Sequence, residues 1–290
     1  MRISQIPDMP DRFEIIFFGD DQEGNTAKAH DKLKQCVEYI LADPNRYAVH
    51  MGDACDAFWA DDKRYDPTTT TATPIKQMAA EVVQLAPLVR AGRLLTVLQG
   101  NHELALNAKV GDFSELLCDE LRREGSGPYP IYGTYTHKLE FLGTDKRSMF
   151  KVYLTHGRRS ITSISPDAHR RKAYMQFRLK RLLENKAGDC IAMVRGHSHI
   201  VLVTPPVPTL YLSDVKGKLK QAYTTPGAGS SSAYIPPEHR FYGCSGSFLR
   251  SQVEGVSTYS EIGEYDPVEL GYLIGTVQDR QFVDLREVKV

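Results

Sequence analysis

The stretch EIIFFGDDQ, residues 14–22, decides how this 290-residue chain folds. Ile15, Ile16, Phe17 and Phe18 make an apolar run of strand length, which predicts a strand over 14–18 buried on both faces. Gly19 lets the backbone turn sharply, and Asp20, Asp21 and Gln22 follow at once. The same grammar recurs along the chain. Strands expected over 47–51, 94–98, 149–155 and 191–194 run into Gly52-Asp53-Ala54-Cys55-Asp56, Gly100-Asn101-His102-Glu103, His156-Gly157 and Gly196-His197-Ser198-His199.

Amphipathic stretches separate these strands. A helix is expected over 25–43, where Leu33, Cys36, Val37, Ile40 and Leu41 share one face, Asn25 or Thr26 caps the start and Asp43-Pro44 stops it. Further helices are expected over 74–89, 112–123 and 167–185, and another strand over 134–141. Four consecutive threonines between two prolines make 61–73 a loop. From Pro205 onward the chain is rich in Pro, Gly, Ser and Tyr, and 282–290 alternates in β fashion. Alternating strands and helices imply an α/β fold. The expected organisation is one domain over 1–290, with a motif core at 13–204 and a β-rich part at 205–290. A separate domain beginning near Pro205 is the alternative.

Composition narrows the function classes. Apolar residues are 41% and charged residues 25%, as in ordinary globular proteins, which excludes collagen-like, low-complexity and wholly disordered readings. The longest apolar run is Cys190-Ile191-Ala192-Met193-Val194, far below the ~20 residues of a membrane helix. Ile15 to Phe18 is too short for a leader-peptide core, so a soluble cytoplasmic protein is expected, with no membrane partner. Lys+Arg and Asp+Glu both number 36, leaving no global charge to draw nucleic acid. Cys36, Cys55, Cys118, Cys190 and Cys244 stand far apart, a spacing that suits small buried hydrophobes in a reducing compartment better than disulfides or zinc thiolates.

Carboxylates, an amide and imidazoles at the carboxyl ends of strands converge on one edge of a sheet, where α/β proteins bind ligands. Hard oxygen and imidazole donors without a thiolate pair suit Mn²⁺, Fe, Zn²⁺ or Mg²⁺. Asp20, Gln22, Asp53, Asn101, His156, His197 and His199 exceed what one ion takes, so two ions sharing a carboxylate is the natural reading. Singly, Asp20 or Asp53 could be a helix cap. His197 and His199 could be surface residues, although alternation in an extended segment would place both on one side. Glu103 reads as the start of a helix, at its positive dipole end, and not as a ligand. His50, beside the second motif, could support the site from behind.

In this order the five motifs resemble those of the calcineurin-like metallophosphoesterases: Asp-x-His, Gly-Asp-x-x-Asp, Gly-Asn-His-Asp/Glu, a lone His and Gly-His-x-His, here from Asp20 to His199, about two thirds of the chain. The resemblance implies a β-sandwich of two mixed sheets flanked by helices and a hydrolase of phosphate esters. It implies that Asp53 bridges two divalent metals, Mn²⁺ foremost, with Zn²⁺, Fe, Mg²⁺ or Ni²⁺ as alternatives. Asp20, Gln22 and His199 would complete one site, and Asn101, His156 and His197 the other. His102 would protonate the leaving group, oriented by Asp56. The two cations would acidify a bridging water and clamp the phosphoryl oxygens.

Gln22 stands where the family pattern has His, and an amide oxygen is a harder, weaker ligand, so the Asp20 site is expected to bind metal loosely and to favour Mn²⁺, Mg²⁺ or Ca²⁺ over Zn²⁺. In the rival reading Gln22 does not coordinate. Arg158 and Arg195 are candidates for substrate phosphate, with solvated surface as the plainer reading. Phe58, Trp59, Tyr65 and 222–232 could line a cleft that stacks bases, and the basic helix over 167–185 could track a phosphate backbone. The second motif lacks the Arg-Gly of Ser/Thr protein phosphatases. A phosphodiesterase or nuclease acting on nucleotides or nucleic acid is favoured over a small-molecule phosphomonoesterase. The contrasting class is a non-catalytic metal-binding scaffold weakened at Gln22.

Overall fold

Phe13, Ile15 and Phe17 enter one core of the protein and Ile16 and Phe18 another, which is how successive apolar residues share one strand. In the computed structural model, residues 1–225 and 233–290 are described. In chain order the first elements are β1 (Arg2–Met9), β2 (Phe13–Phe18), α1 (His30–Leu41), β3 (Arg46–His50), α2 (Pro74–Arg90), β4 (Leu94–Val97), α3 (Asn101–Val110) and α4 (Phe113–Arg123). Then come β5 (Ile131–Tyr132), β6 (Thr136–Gly143), β7 (Ser148–Thr155), α5 (Ala168–Leu183), β8 (Ala192–Arg195) and β9 (Val201–Thr204). β10 (Leu210–Val215), β11 (Lys218–Tyr223), β12 (Phe241–Ser245), α6 (Tyr259–Ile262), β13 (Gly271–Gln278) and β14 (Gln281–Lys289) complete the chain.

Two mixed six-stranded sheets stack face to face, ordered β1-β6-β7-β8-β12-β9 and β14-β13-β2-β3-β4-β5. Phe141, Phe150, Val152 and Val194 from the first meet Phe13, Phe17, Val49 and Leu273 from the second in the core between them. On the outer face of the second sheet, Leu33, Cys36 and Ile40 of α1, Leu85 and Leu88 of α2 and Leu117 and Leu121 of α4 cover Ile16 and Phe18. On the outer face of the first, Leu179 and Leu183 of α5 cover Tyr153, Met193 and Tyr242. The fold is therefore α/β, a sandwich of mixed sheets flanked by helices, as the resemblance implied. The five cysteines are buried and unpaired. No helix among the described residues is long and apolar enough to cross a membrane.

β2, β3 and β4 run parallel, as do β7 and β8, so five of the motif-bearing loops leave carboxyl ends of parallel neighbours. Several expectations need correction. Residues 25–29 are not helical: α1 begins after Ala29 with no side-chain cap, because Asn25 bonds the Ala27 N–H and the Asp56 carboxylate instead. α3 begins at Asn101, two residues before the Glu103 at which a helix is expected to start, and of its side chains only Glu103 and Leu106 are buried. The unassigned N-terminus is an edge strand, β1, parallel to β6. β13 and β14, from the β-rich part, extend the second sheet beside β2, and β9 and β12 extend the first beside β8.

Candidate metal centre

Backbone conformation marks the site before side chains are considered. Of thirteen non-glycine residues with positive φ among the described residues, five are predicted ligands: Asp20 at 52°, Gln22 at 48°, Asp53 at 51°, His197 at 70° and His199 at 52°. Each costs energy that a branched or bulky residue elsewhere would not tolerate, and such strain gathers at functional sites. His197 and His199 accordingly do not alternate along an extended strand. Left-handed turns at both residues, after β8 has ended, aim them into the site. Glycines clear the space: a side chain on Gly100 would collide with the Asp53 carboxylate, and Gly52 turns at φ +96° against Gly100 and His156.

Asp53, 1% exposed, is the hub. Its Oδ1 accepts from the His102 backbone N–H at 3.0 Å, and its Oδ2 lies 3.2 Å from His156 Nε2 and 3.9 Å from His102 Nε2. Asn101 Oδ1 is 3.0 Å from the same His156 nitrogen. Ligand atoms of Asp53, His156 and His197 all fall within 4.8 Å of one another. His156 Nδ1 donates to the Met51 carbonyl at 2.8 Å, which fixes the tautomer and leaves Nε2 directed at the cluster. Beside it, Asp20 accepts the His197 N–H through both oxygens, at 3.1 and 3.0 Å, and its Oδ1 is 3.5 Å from His199 Nε2. Gln22 Nε2 sits 3.4 Å from that same imidazole nitrogen. Turning this amide over would present Oε1 in its place without changing its shape.

The electrostatics agree with a cation at the hub. Burial pushes the Asp53 carboxyl up, yet the charges of His156 and His102 and the bonds they make hold it well below the usual carboxylate range. Burial pushes His156 down, but Asp53 outweighs it and raises the imidazole to about 9. Burial and the His156 charge press His197 down to about 4, which keeps it neutral, the form that ligates. Separations of 3.0–3.5 Å between donor atoms are what a shared ion at about 2.0–2.2 Å from each would require. The oxygen and nitrogen donors of Asp53, His156 and His197 therefore fit a divalent cation, with Asn101 beside His156, and Asp20, Gln22 and His199 form a neighbouring group.

His102, its side chain 15% exposed, opens toward solvent, and its Nδ1 donates to a carbonyl at 2.8 Å. That carbonyl is the backbone of Asp56, not its carboxylate, which lies 3.9 Å away. The expected imidazole–carboxylate dyad is thus an imidazole–carbonyl pair. The Asp56 carboxylate is engaged behind it, accepting from Asn25 Nδ2 at 3.0 Å and Thr70 Oγ1 at 2.9 Å, and burial raises its pKa. Glu103 does open a helix: its two oxygens accept from the Gly100 and Cys55 N–H groups, and burial, with the nearby Asp53 charge, raises it to about 7. His50 accepts from the Gly52 N–H and donates to Asp21 at 2.8 Å, bracing the turn behind Asp20.

Arg158 is exposed on the loop after His156. Arg195 is 2% exposed and donates to the Arg159 carbonyl, so its guanidinium holds that loop from inside and faces no open surface. Of the expected base-stacking residues, Phe58 packs against the His102 ring with centroids 4.7 Å apart. Trp59 and Tyr65 line a neighbouring cavity. Of the segment 222–232, Tyr223 is exposed on β11 and 226–232 lie outside the described residues. Sequence reasoning missed Asn25, for which a lone asparagine in a polar loop offers no signal. It also missed Ser247, whose hydroxyl donates to the Asp20 carbonyl at 2.7 Å from a part of the chain without motifs.

No protein-family model matches the chain, and no curated protein matches it. Among solved structures it is similar to the calcineurin-like phosphoesterase YfkN from Bacillus subtilis, at 11% identity and a TM-score of 0.32, over 77% of this chain and 93% of that one. It is also similar to the NAD nucleotidase NadN of Haemophilus influenzae, at 12% identity and a TM-score of 0.38, over 96% of this chain and 50% of that one. The chain thus spans half the length of the nucleotidase it matches.

Proposed function

We propose that this chain is a metal-dependent phosphoesterase that hydrolyses phosphodiesters of nucleotides or nucleic acid. The observation that carries the reading is the Asp53 carboxylate, buried where donors from four separate segments meet, with an imidazole beside it that is tethered through its other nitrogen. Two divalent cations, Mn²⁺ foremost, would acidify water and neutralise the phosphoryl oxygens. Asp20, Gln22, Asp53, Asn101, His156, His197 and His199 would hold them. His102 commits its Nδ1–H to the Asp56 carbonyl, so in its imidazolium form it would present Nε2–H to the departing oxygen and be left as the neutral Nδ1–H tautomer. Asn101, next to it on the first turn of α3, ties the proton donor to the ligand set in one rigid element. Arg158, exposed on the loop after His156, would meet a phosphate oxygen.

A cavity of about 420 Å³ lies beside Phe58, whose ring packs on His102, and would have room for an organic group of the ester. Crossing Mn²⁺, Zn²⁺, Mg²⁺ and Ni²⁺ with bis-p-nitrophenyl phosphate and p-nitrophenyl phosphate tests the reading. Metal-dependent turnover with the diester preferred is expected. Preference for the monoester would replace the diester assignment, and no turnover with any metal would leave a binding scaffold.

A further inference from the structure

β9 begins just after His199, beside the metal centre, and runs antiparallel to β12. It therefore ends at the opposite end of the sheet, where β10 and β11 follow as a hairpin. The base of the hairpin is anchored there: the Val207 N–H donates to the Glu238 carbonyl, and Thr224 Oγ1 lies 2.8 Å from His239 Nε2, just ahead of β12. Past this base the strands stand alone. Among the described residues they pair only with each other, and no residue of either strand is buried. A two-stranded hairpin is marginal in water unless further strands or a surface pack on its apolar face.

The register sorts the side chains into two faces. Opposite residues of an antiparallel pair share a face, and Leu210 pairs with Tyr223, Leu212 with Gln221 and Asp214 with Leu219. One face therefore carries Leu210, Leu212, Leu219 and Tyr223, at 47, 61, 77 and 62% exposure. Its single charge, Asp214, is engaged by the Gly217 N–H at 2.8 Å. Lys218 and Lys220 stand on the opposite face, and Lys216 lies in the turn. Apolar on one side and charged on the other is the pattern of strands with one covered face.

We infer that a second copy of this chain covers it, the two hairpins stacking apolar face on apolar face about a two-fold axis. Charge selects this occupant. An anionic lipid surface or an acidic peptide would be drawn by lysines beside the leucines, and Lys218 and Lys220 point the other way. A second copy of the face brings leucines and a tyrosine and no cation. Stacking tip over base also keeps the two Asp214 carboxylates and the two Lys216 turns apart. Such a contact is self-complementary and closes at two. The four side chains offer roughly 400 Å² per copy, about half of what each partner gives in a complex of standard size, so the dimer is weak and concentration-dependent. It forms at the end of the sandwich away from Asp53 and leaves both metal centres open.

Sedimentation velocity of the purified full chain over micromolar concentrations should show a reversible equilibrium between monomer and dimer. Leu212→Glu, at an exposed position on the apolar face, should weaken the dimer about tenfold or more. Lys218→Glu, on the other face, should leave it unchanged. Both variants should bind Mn²⁺ as the parent does, which shows that the fold is intact. A chain that stays monomeric throughout, or a dimer that Leu212→Glu leaves as tight as the parent's, would overturn the inference. So would a monomer that sediments with phosphatidylserine vesicles and not with neutral ones, since a lipid surface would then be the occupant.

Discussion

Gln22 and His102 make the sharpest demands on the account at the scale of single residues. Gln22 lies 3.4 Å from His199, close enough to share an ion with it and Asp20, yet it brings an amide where imidazole would bind zinc more tightly. Gln22→His should therefore raise zinc affinity at that position about tenfold or more and shift preference away from Mn²⁺, read by competitive metal titration. Equal zinc affinity in both proteins would mean that residue 22 does not coordinate. His102→Ala should lower kcat by about 10²–10⁴-fold while the number of bound metals stays the same, because the imidazole is tethered to a carbonyl and not to the ligands. A variant that turns over at the parental rate would remove the acid role. Most of these residues were legible because each follows a strand. Their left-handed backbones were not, since Asp, Gln and His carry no glycine-like signal for positive φ.

Elements explain why the residues hold their places. The turn after β2 is braced by a buried charge cluster: Lys28 Nζ lies 2.8 Å from both Glu81 and Glu23 and 3.7 Å from Asp21, and Asp21 in turn accepts from His50. Burial presses the Lys28 ammonium toward neutrality, but the three carboxylates outweigh it and hold its pKa above the ordinary value. Lys28→Met would leave those acids uncompensated in the interior and should destabilise the protein by about 3–5 kcal/mol in urea unfolding. Adding Glu81→Gln should recover part of the loss, and a cost under about 1 kcal/mol for the single variant would contradict the bracing role. This cluster was invisible in the sequence because Lys28, His50 and Glu81 belong to no motif and meet only when α2 packs against the β2 turn. Of α3 only the start, at Glu103, was legible. Its exposed Leu104 and scattered polar residues lack a helical stripe, and the helix forms because Glu103 and the Asp53 carboxylate satisfy N–H groups of its first turn and the residue before it.

Across the whole molecule, two sheets bring together loops separated by up to 179 positions, from Asp20 to His199. Short apolar runs made the central strands readable. The alternation over 282–290 is β14, but β1, β9, β12 and β13 were not legible, because pairing partners, not periodicity, define them. The ligand cluster also sets how metal-free stability responds to pH. His156 rises from 6.5 to about 9 on folding, so it stabilises fully below pH 6.5 and that contribution is lost as pH rises through 9. His199, also raised, once its bond to Asp20 outweighs burial, acts in the same direction. His197 and Asp53, both lowered, act only at more acidic pH. Thermal unfolding of the metal-free protein should lose roughly 3 kcal/mol at most between pH 6.5 and 9.5. Saturating Mn²⁺ should remove much of this slope, since ligand protons are displaced. A stability that rises over that interval would contradict the charge pairing at Asp53.

The most direct measurement is the number of divalent cations bound per chain, by isothermal titration with Mn²⁺, in the parent protein and in Asp53→Asn. Two per chain in the parent, with both weakened together in the variant, is the predicted result. A parent that binds none, or a variant that binds two as tightly, would contradict a shared carboxylate at the centre of this site.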